Sequence, residues 1–331
     1  MKILIILICV LFALSLFGER ITTFPQLSKP EFIKVGENLL CINEGAVVFL
    51  YDLNDFILIK KFGGKGEGPG EFKPIVKGLE INILKEKIMI ESQDKLSYYS
   101  LKGDLIKETR LLPKYNGLKL LGDRYFATGE KITNKVAHRV VKILGADFNE
   151  VKTFYQDEVG YHQEKQGTNY ATTWDFDVGE NKFFIVGSSD FKIDVFNKNG
   201  DSLYTISQEY ERVKLSQEFI DSWFERIKRR LGMRAYDYMK KKVRFADFFP
   251  AIRDMMVDNG HVCVITYRKQ QEKNEFFIYD LEGKLVKKTF LPLKDYDGVA
   301  LFPYSIKNNY LHQLIDNEEE EVWELQRFSI L

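Results

Sequence analysis

The chain has 331 residues, and its 48 Lys and Arg residues balance its 48 Asp and Glu residues, so the formal net charge is zero. This balance argues against general nucleic-acid binding, which needs a basic surface. Beyond the first twenty residues the only cysteines are Cys41 and Cys263, far apart in apolar runs. They predict small buried side chains rather than a disulfide framework.

The chain begins with a segment typical of a secretory signal. Lys2 is followed by fifteen residues that are apolar except for Ser15, which is shorter than the roughly 20 residues of a membrane span. Residues 1–18 are therefore expected to be a signal peptide cleaved after Ser15 or Gly18, and residues 19–331 to form the mature domain. This predicts a periplasmic or secreted protein with no other membrane span. An uncleaved segment that tethers the protein is the alternative.

A glycine-rich stretch, FGGKGEGPGEF, covers Phe62–Phe72. A phosphate-binding P-loop needs Ser or Thr after its Gly-Lys pair, but Gly64-Lys65 is followed by Gly66. A dinucleotide fingerprint must run into a helix, whereas the next residues, KPIV, favour an extended chain. The stretch therefore predicts a tight loop between two strands, where glycine supplies positive φ angles.

A repeated pattern of turns and apolar runs organises the rest of the chain. Six polar turns each precede an apolar strand-like run: 36–38, 85–87, 122–124, 179–181, 258–260 and 307–309. A second turn follows each of the first five runs, and the equivalent positions 55, 103 and 150 are 48 and 47 residues apart. Each unit thus has four strands, a to d. Such meanders predict an all-β fold, a six-bladed β-propeller of four-stranded antiparallel blades. Within it, Asn199-Gly200 is the strongest type I′ signal.

Two irregularities refine this architecture. Residues 210–249 interrupt the repeat between blades 4 and 5, and their apolar residues recur at helical spacing from Phe219 to Leu231. From Arg226 to Arg244 the insertion carries nine Lys or Arg and one acid. Such a basic helix either binds anionic surfaces or presents a solvated face over an apolar stripe. The sixth unit lacks a strand d, so the N-terminal strand Arg20–Phe24 is expected to complete blade 6 and close the ring.

The junction FGGKGEGPGEFKPI is similar to the blade junction of NHL-repeat proteins. With its helical insertion, the mature chain resembles the secreted bacterial six-bladed β-propeller family related to NHL repeats. Two enzyme types on related folds are implied by this resemblance. One is the metal-dependent amidating lyases, with histidines round the channel mouth; the other is calcium-bound lactonase-like propellers, with channel carboxylates and amides.

The sequence gives the enzyme hypotheses little support. It contains no G-x-S-x-G, H-E-x-x-H or C-x-x-C motif. Only His138 and His162 fall in loops at one predicted end, and two histidines make a poor zinc site. Five acids follow b strands and could converge on calcium, although solvated loop acids are the alternative: Glu44, Glu91, Glu130, Asp190 and Asp316.

We therefore expect a binding or scaffold propeller that is a monomer, needs no cofactor, and recognises a glycan, a peptide or an envelope protein. A metal-dependent hydrolase or lyase in the channel, with calcium as its possible cofactor, is the alternative.

Long segments occur at the end that carries the d–a junctions and b–c loops, so this end is the predicted binding face, with the insertion as a lid. The predicted ligand-binding residues are Trp174, Arg253, Tyr267, Arg268, Glu91, Glu130 and Asp190. Trp174 offers an apolar face and Arg253 a fork for a carboxylate or phosphate. The alternative places Trp174 in the core and pairs Arg253 with a neighbouring acid.

Overall fold

The computed structural model describes residues 19–331 except 74–78, 94, 112–114, 135, 163–167, 171–174 and 188. The described chain forms six four-stranded antiparallel sheets and two helices. Their inner strands contact one another in a closed ring. The protein is a six-bladed β-propeller, as the repeat predicted.

The blades follow the chain in order, from the inner strand outward. Blade 1 contains β2 (Phe32–Val35), β3 (Leu39–Glu44), β4 (Val47–Asp52) and β5 (Leu58–Gly63). Blade 2 contains β6 (Glu80–Ile83), β7 (Lys87–Ser92), β8 (Lys95–Ser100) and β9 (Leu105–Arg110). Blade 3 contains β10 (Asn116–Leu121), β11 (Arg124–Thr133), β12 (Val136–Leu144) and β13 (Glu150–His162).

The second half of the ring contains the insertion. Blade 4 contains β15 (Asp175–Gly179), β16 (Lys182–Val186), β17 (Lys192–Asn197) and β18 (Ser202–Ser207). Between blades 4 and 5 lie α1 (Gln217–Leu231), α2 (Met233–Lys242) and β19 (Val243–Phe245), which pairs in parallel with β14 (Thr168–Tyr170). Blade 5 contains β20 (Asp254–Asp258), β21 (His261–Gln270), β22 (Lys273–Asp280) and β23 (Leu285–Leu291). Blade 6 contains β24 (Tyr304–Lys307), β25 (Tyr310–Asn317), β26 (Val322–Ser329) and β1 (Glu19–Phe24).

The N-terminal strand closes the ring. β1 pairs antiparallel with β26 from Glu19 opposite Arg327 to Phe24 opposite Trp323. Phe24 is buried in the core between blades 6 and 1. This confirms the predicted closure, which covers the edge that β26 would otherwise expose.

The core is divided into six apolar clusters, one between each pair of neighbouring blades. Each blade is sandwiched between two others, so both faces of its middle strands are buried and the sequence runs nearly continuously apolar, as in LLCIN of β3. The outermost strands alternate between exposed and half-buried residues, as in β5. Cys41 and Cys263 are buried and unbonded to each other, and burial raises the pKa of each thiol to about 12.

Side chains from one blade satisfy the free inner edge of the next. The Val257 N–H donates a 2.8 Å hydrogen bond to the carboxylate of Asp177, across the boundary between blades 4 and 5. The Val35 N–H likewise donates to Ser305 Oγ at 3.2 Å, from blade 1 to blade 6. These bonds supply partners for buried backbone groups that have no neighbouring strand, and they fix polar residues along the channel.

One predicted turn type is wrong. A type I′ turn needs positive φ at both central residues, but at Asn199-Gly200 only Gly200 has it. The Asn197 side chain instead accepts hydrogen bonds from the N–H groups of Asn199 and Asp201, and the strand pair is bulged beside it. Paired positive φ angles occur in other turns instead, at 180–181, 259–260, 271–272 and 308–309.

The glycine-rich junction is a turn, as predicted. Gly63 ends β5 with a φ of 91°, and Phe72 returns to donate its N–H to the Gly64 carbonyl at 2.7 Å. The Glu71 carboxylate accepts a hydrogen bond from the Gly68 N–H at 2.8 Å. This backbone N–H therefore has a partner within the same loop. Phe72 is fully buried and anchors the junction between blades 1 and 2.

Candidate functional site: the two ends of the propeller

The propeller has two unlike ends. We call the end with the b–c loops and d–a junctions the loop end, and the end with the a–b and c–d turns the turn end. The loop end carries the glycine-rich junction and the insertion, as the strand order predicted. The turn end carries the mouth of a cavity.

Arg253 lies at the loop end, where its guanidinium is enclosed. It donates to Asp295 Oδ1 at 3.0 Å and to the Val299 carbonyl at 3.2 Å, and its side chain is 9% exposed. It also lies 5.3 Å from the ring centroid of Tyr267. Arg253 therefore joins blade 5 to the junction between blades 5 and 6. Its pairing with Asp295 is the alternative to ligand binding that the sequence analysis considered.

Tyr267 and Arg268 meet the base of the insertion. The Tyr267 ring stacks on Phe249 with centroids 4.1 Å apart. Arg268 donates to the Glu211 carbonyl at 2.8 Å and lies over the ring of Tyr210 at 5.1 Å. Both side chains thus hold the two ends of the inserted segment against blade 5.

The predicted acids do not converge with these residues. Glu91 is buried between blades 2 and 3, and its carboxylate accepts from the Leu118 N–H at 2.7 Å. Glu130 is exposed on the long β11, opposite Arg139 on β12. Asp190 is exposed in the b–c loop of blade 4. Trp174 lies outside the described residues.

The insertion is clamped to the loop end at several points. Arg226 and Arg229 of α1 bind the two oxygens of Asp297 at 2.9 and 2.7 Å. A seventh apolar cluster, which includes Phe219 and Phe249, packs the insertion on blade 5. The β14–β19 pairing ties its far end to the junction between blades 3 and 4. The insertion is therefore attached both to the junction between blades 3 and 4 and to the junction between blades 5 and 6.

The outer part of the insertion faces solvent. Ser216 caps α1 by accepting a hydrogen bond from the Phe219 N–H at 3.2 Å. The helical stretch breaks at Gly232, where φ is 82°. α2 buries none of its residues, and Leu231, Met233 and Tyr238 are 46%, 55% and 60% exposed. Among the described residues, neither helix is long and apolar enough to cross a membrane.

The residues that the metal hypotheses require are dispersed. His261 bonds to the Asn259 carbonyl at 2.9 Å in an a–b turn, and His312 is buried in β25, where burial lowers its pKa to about 4. His138 lies on β12, and the side chain of His162 lies outside the described part of the chain. Among the described residues, no three His, Cys, Asp or Glu side chains are close enough to hold a metal ion. The described histidines and acids therefore do not assemble into a zinc or calcium centre.

A cavity of about 610 Å³ opens at the turn end, on the propeller axis. All six inner strands contribute to its wall, through Lys34, Asn82, Lys119, Asp177, Met256 and Lys307 among others. Lys119 pairs with Glu80 at 3.1 Å and lies 3.7 Å from Asp177. The channel wall thus carries charged side chains of both signs together with apolar ones.

The sequence interpretation missed these channel residues, although a signal was present. The inner strands of blades 4 and 5 read DFDVG and DMMVD, with acids two positions apart in the first and four positions apart in the second. Alternate residues of a strand share one face, so acids at this spacing in an otherwise buried strand mark a wall that faces a channel. Lys34 in FIKVG carries the same signal for blade 1.

Comparison with known proteins shows similarity in fold. No protein-family model and no curated protein matches the chain. A candidate exported protein from Bacteroides fragilis is 16% identical, covering 95% of this chain and 94% of that chain with a TM-score of 0.57. A DUF4221 family member from Bacteroides vulgatus is 11% identical over 94% and 97% of the two chains, with a TM-score of 0.49. The Cps50 (Swd1) β-propeller domain of Myceliophteria thermophila is 9% identical over 94% and 99%, with a TM-score of 0.43. Similarity at these identities concerns the fold alone.

Proposed function

We propose that this chain is an exported binding propeller that recognises an acidic segment of an envelope protein at its loop end, through the helical insertion. The observation that carries this proposal is the contrast within the insertion. The insertion is fixed by Asp297 and by the β14–β19 pairing, whereas no residue of α2 is fully buried. A surface that is fixed in position and left uncovered is suited to contact another molecule.

Charge favours a protein or peptide over a neutral glycan. The segment from Arg226 to Arg244 has nine cations and one acid in a chain whose net charge is zero. Arg226 and Arg229 are used to hold the insertion, which leaves an excess of basic side chains toward solvent. An acidic partner complements this surface, and the exposed Leu231 and Met233 add apolar contact area.

The residues predicted from sequence take different roles in this proposal. Tyr267 and Arg268 act by holding the base of the insertion, and Arg253 acts by joining blade 5 to the junction between blades 5 and 6. The exposed Glu130 and Asp190 are proposed to flank the contact surface. Trp174, which lies outside the described residues, remains a proposed ligand-binding residue. Glu91 is buried between two blades and acts on stability rather than on binding.

Export is supported by the apolar segment 1–18 and by the description of the similar Bacteroides fragilis chain as exported. We expect the mature protein to be a monomer that begins near residue 16 or 19, which N-terminal sequencing of a periplasmic or secreted fraction would test.

A relation to NHL repeats is also proposed, and it rests on the Phe62–Phe72 motif alone. The hydrolase or lyase alternative is less well supported, because the described histidines and acids do not assemble.

The binding proposal is tested with poly-L-glutamate as an acidic probe, followed by capture from an envelope extract. We expect Arg234→Ser with Lys241→Ser, two exposed cations of α2, to weaken binding of the probe by about tenfold at low salt. The matched control is Lys102→Ser with Lys107→Ser, which removes two exposed cations near the turn end. Equal weakening by both pairs would show only a nonspecific charge effect and would refute the assignment to the insertion.

A further inference from the structure

Two carboxyl groups of one strand hold the boundary between blades 4 and 5 along the channel. On β15, Asp175 accepts a hydrogen bond from the Met255 N–H at 3.0 Å, and Asp177 accepts one from the Val257 N–H at 2.8 Å. Both N–H groups belong to β20, the inner edge strand of blade 5. The side chains of β15 therefore supply the partners that a neighbouring strand would otherwise provide.

At Asp175 a second carboxyl group competes for the same donor. Asp254 accepts from the Met255 N–H at 2.8 Å, so oxygens of Asp175 and Asp254 converge on one hydrogen atom and lie within hydrogen-bonding reach of each other. The other oxygen of Asp254 accepts from the hydroxyl of Tyr304 in blade 6. Two carboxylates at this separation repel each other when both are ionised, whereas a proton between them supplies the missing donor.

The cations of the channel are shared with other acids. The other charged side chains in this part of the channel are Asp177 on β15, Glu80 on β6, Lys119 on β10, Lys34 on β2 and Arg253 beside β20. Lys119 lies 3.1 Å from Glu80 and 3.7 Å from Asp177, and Arg253 is bound to Asp295. Among the described residues, no lysine, arginine or histidine forms an ion pair with Asp175 or Asp254.

We propose that Asp175 and Asp254 share one proton in the folded protein, and that losing this proton as the pH rises loosens the boundary between blades 4 and 5. With the proton present, one carboxyl group donates to the other. Without it, two carboxylates compete for one backbone donor, and their repulsion acts directly across the boundary. The insertion is attached on both sides of this boundary, so its attachments respond to the same proton. The inference stands whether or not the insertion binds a partner.

The environment of Asp175 sets the direction of the pH effect. Burial raises the pKa of Asp175 well above the ordinary 3.8, and the charge and hydrogen bond of Asp254 raise it further, against the hydrogen bond from Met255. Because this pKa is higher in the folded than in the unfolded chain, the stabilisation is complete below the unfolded value and is lost as the pH rises through the folded value. Burial also raises the pKa of Tyr304, which therefore stays a donor to Asp254.

The test compares variants of the mature chain by urea unfolding at pH 5 and pH 9. The parent and all variants carry Glu91→Gln, so that the buried Glu91 does not contribute to the pH dependence. Asp175→Asn imitates the protonated acid, because its amide can accept from Met255 and donate to Asp254. We expect its unfolding equilibrium constant to equal that of the parent at pH 5 and to be lower by about tenfold or more at pH 9. Asp254→Asn, whatever its stability at pH 5, should show the same loss of pH dependence.

Asp177→Asn is the matched control, since it alters the other carboxylate of β15 that bonds to β20. Its charge lies beside Lys119, so this variant should lose stability at pH 9 rather than gain it. Amide hydrogen exchange locates the effect. At pH 9 the amides of Asp254–Asp258 should exchange about tenfold or more faster in the parent than in Asp175→Asn, and those of β2 to β5 equally fast in both.

Two outcomes would overturn the proposal. If Asp175→Asn were no more stable than the parent at pH 9, the folded protein would accommodate both carboxylates in the ionised form. If it were more stable by the same factor at pH 5 and pH 9, the gain would come from packing and not from a proton.

Discussion

Glu91 of blade 2 accepts a 2.7 Å hydrogen bond from the backbone N–H of Leu118, on the inner strand of blade 3. Glu91 is 5% exposed and lies at the boundary between the two blades. Burial raises its pKa from the ordinary 4.5 to about 7, and the nearby Glu80 adds to this, although the Leu118 hydrogen bond acts in the opposite direction. A boundary that joins two blades therefore contains an acid that titrates near neutral pH.

The first prediction is that stability falls as the pH rises from about 4.5 to about 7. An acid whose pKa is higher in the folded protein binds its proton more tightly there, so the folded state is favoured at low pH and loses this advantage as Glu91 ionises. The shift corresponds to roughly 3 kcal/mol between the two limits. Glu91→Gln stays neutral, so it should match the wild type near pH 5 and exceed its stability at pH 8. Urea unfolding at the two pH values measures the difference.

A neighbouring acid provides a control of opposite sign. Burial opposes ionisation of Glu108, but hydrogen bonds from Lys95 and Ser97 outweigh it and lower the pKa of Glu108. Glu108→Gln should therefore lose stability at neutral pH rather than gain it. If Glu91→Gln were less stable than the wild type at pH 8, the ionised carboxylate would be favourable at this boundary and the prediction would fail.

The second prediction concerns ring closure. Deleting Glu19–Phe24 should expose the edge of β26 and remove Phe24 from the core between blades 6 and 1. The truncated chain should aggregate and melt far below the wild type. Phe24→Ala alone should cost about 3–5 kcal/mol, because it empties a fully buried aromatic site. Glu19→Ala, on the same strand, breaks an exposed ion pair with Arg327 and should change the melting temperature little. A melting temperature unaffected by the deletion would contradict the closure.

Much of the fold could be predicted because the pattern of turns and strands occurs six times, so an uncertain assignment in one unit is supported by the others. One unit of turns and apolar runs could belong to many β folds, but six in succession fit a ring, and the missing strand in blade 6 indicated where Arg20–Phe24 must lie. The error at Asn199-Gly200 is local. An Asn-Gly pair favours a type I′ turn, but the Asn197 side chain competes for the same backbone N–H groups.

The candidate sites were harder to predict, because they depend on which side chains find partners. Arg253 could be placed at the loop end, but its pairing with Asp295 joins residues 42 positions apart on opposite sides of blade 5. Lys119 and Asp177 come from the inner strands of blades 3 and 4 and lie 3.7 Å apart. Such pairings between blades leave no pattern in a single sequence.

The third prediction concerns the glycine-rich junction. A Cβ on Gly63 would lie 2.5 Å from the Ala46 carbonyl oxygen and 2.9 Å from the Phe72 ring, at a φ of 91°. Gly63→Ala should therefore cost about 3 kcal/mol through strain and overlap. Gly122→Ala is the control, since it has a similar positive φ but no atom within 4 Å of the added carbon, and it should cost about 1 kcal/mol. Equal losses in chemical denaturation would show that backbone conformation alone explains the glycine.

The last prediction concerns the attachment of the insertion. Arg226 and Arg229 approach opposite oxygens of Asp297, whose side chain is only 10% exposed. Arg226→Met with Arg229→Met leaves that carboxylate without its cations, which should free α1 to detach locally while the blades keep their packing. Amide hydrogen exchange across 217–242 should accelerate by about tenfold or more, with little change in the blade strands. Arg234→Met, an exposed arginine with no ion pair among the described residues, should leave exchange unchanged. If the double variant exchanged no faster than this control, the apolar cluster around Phe219 and Phe249 would be sufficient to hold the insertion, and the role assigned to Asp297 would be wrong.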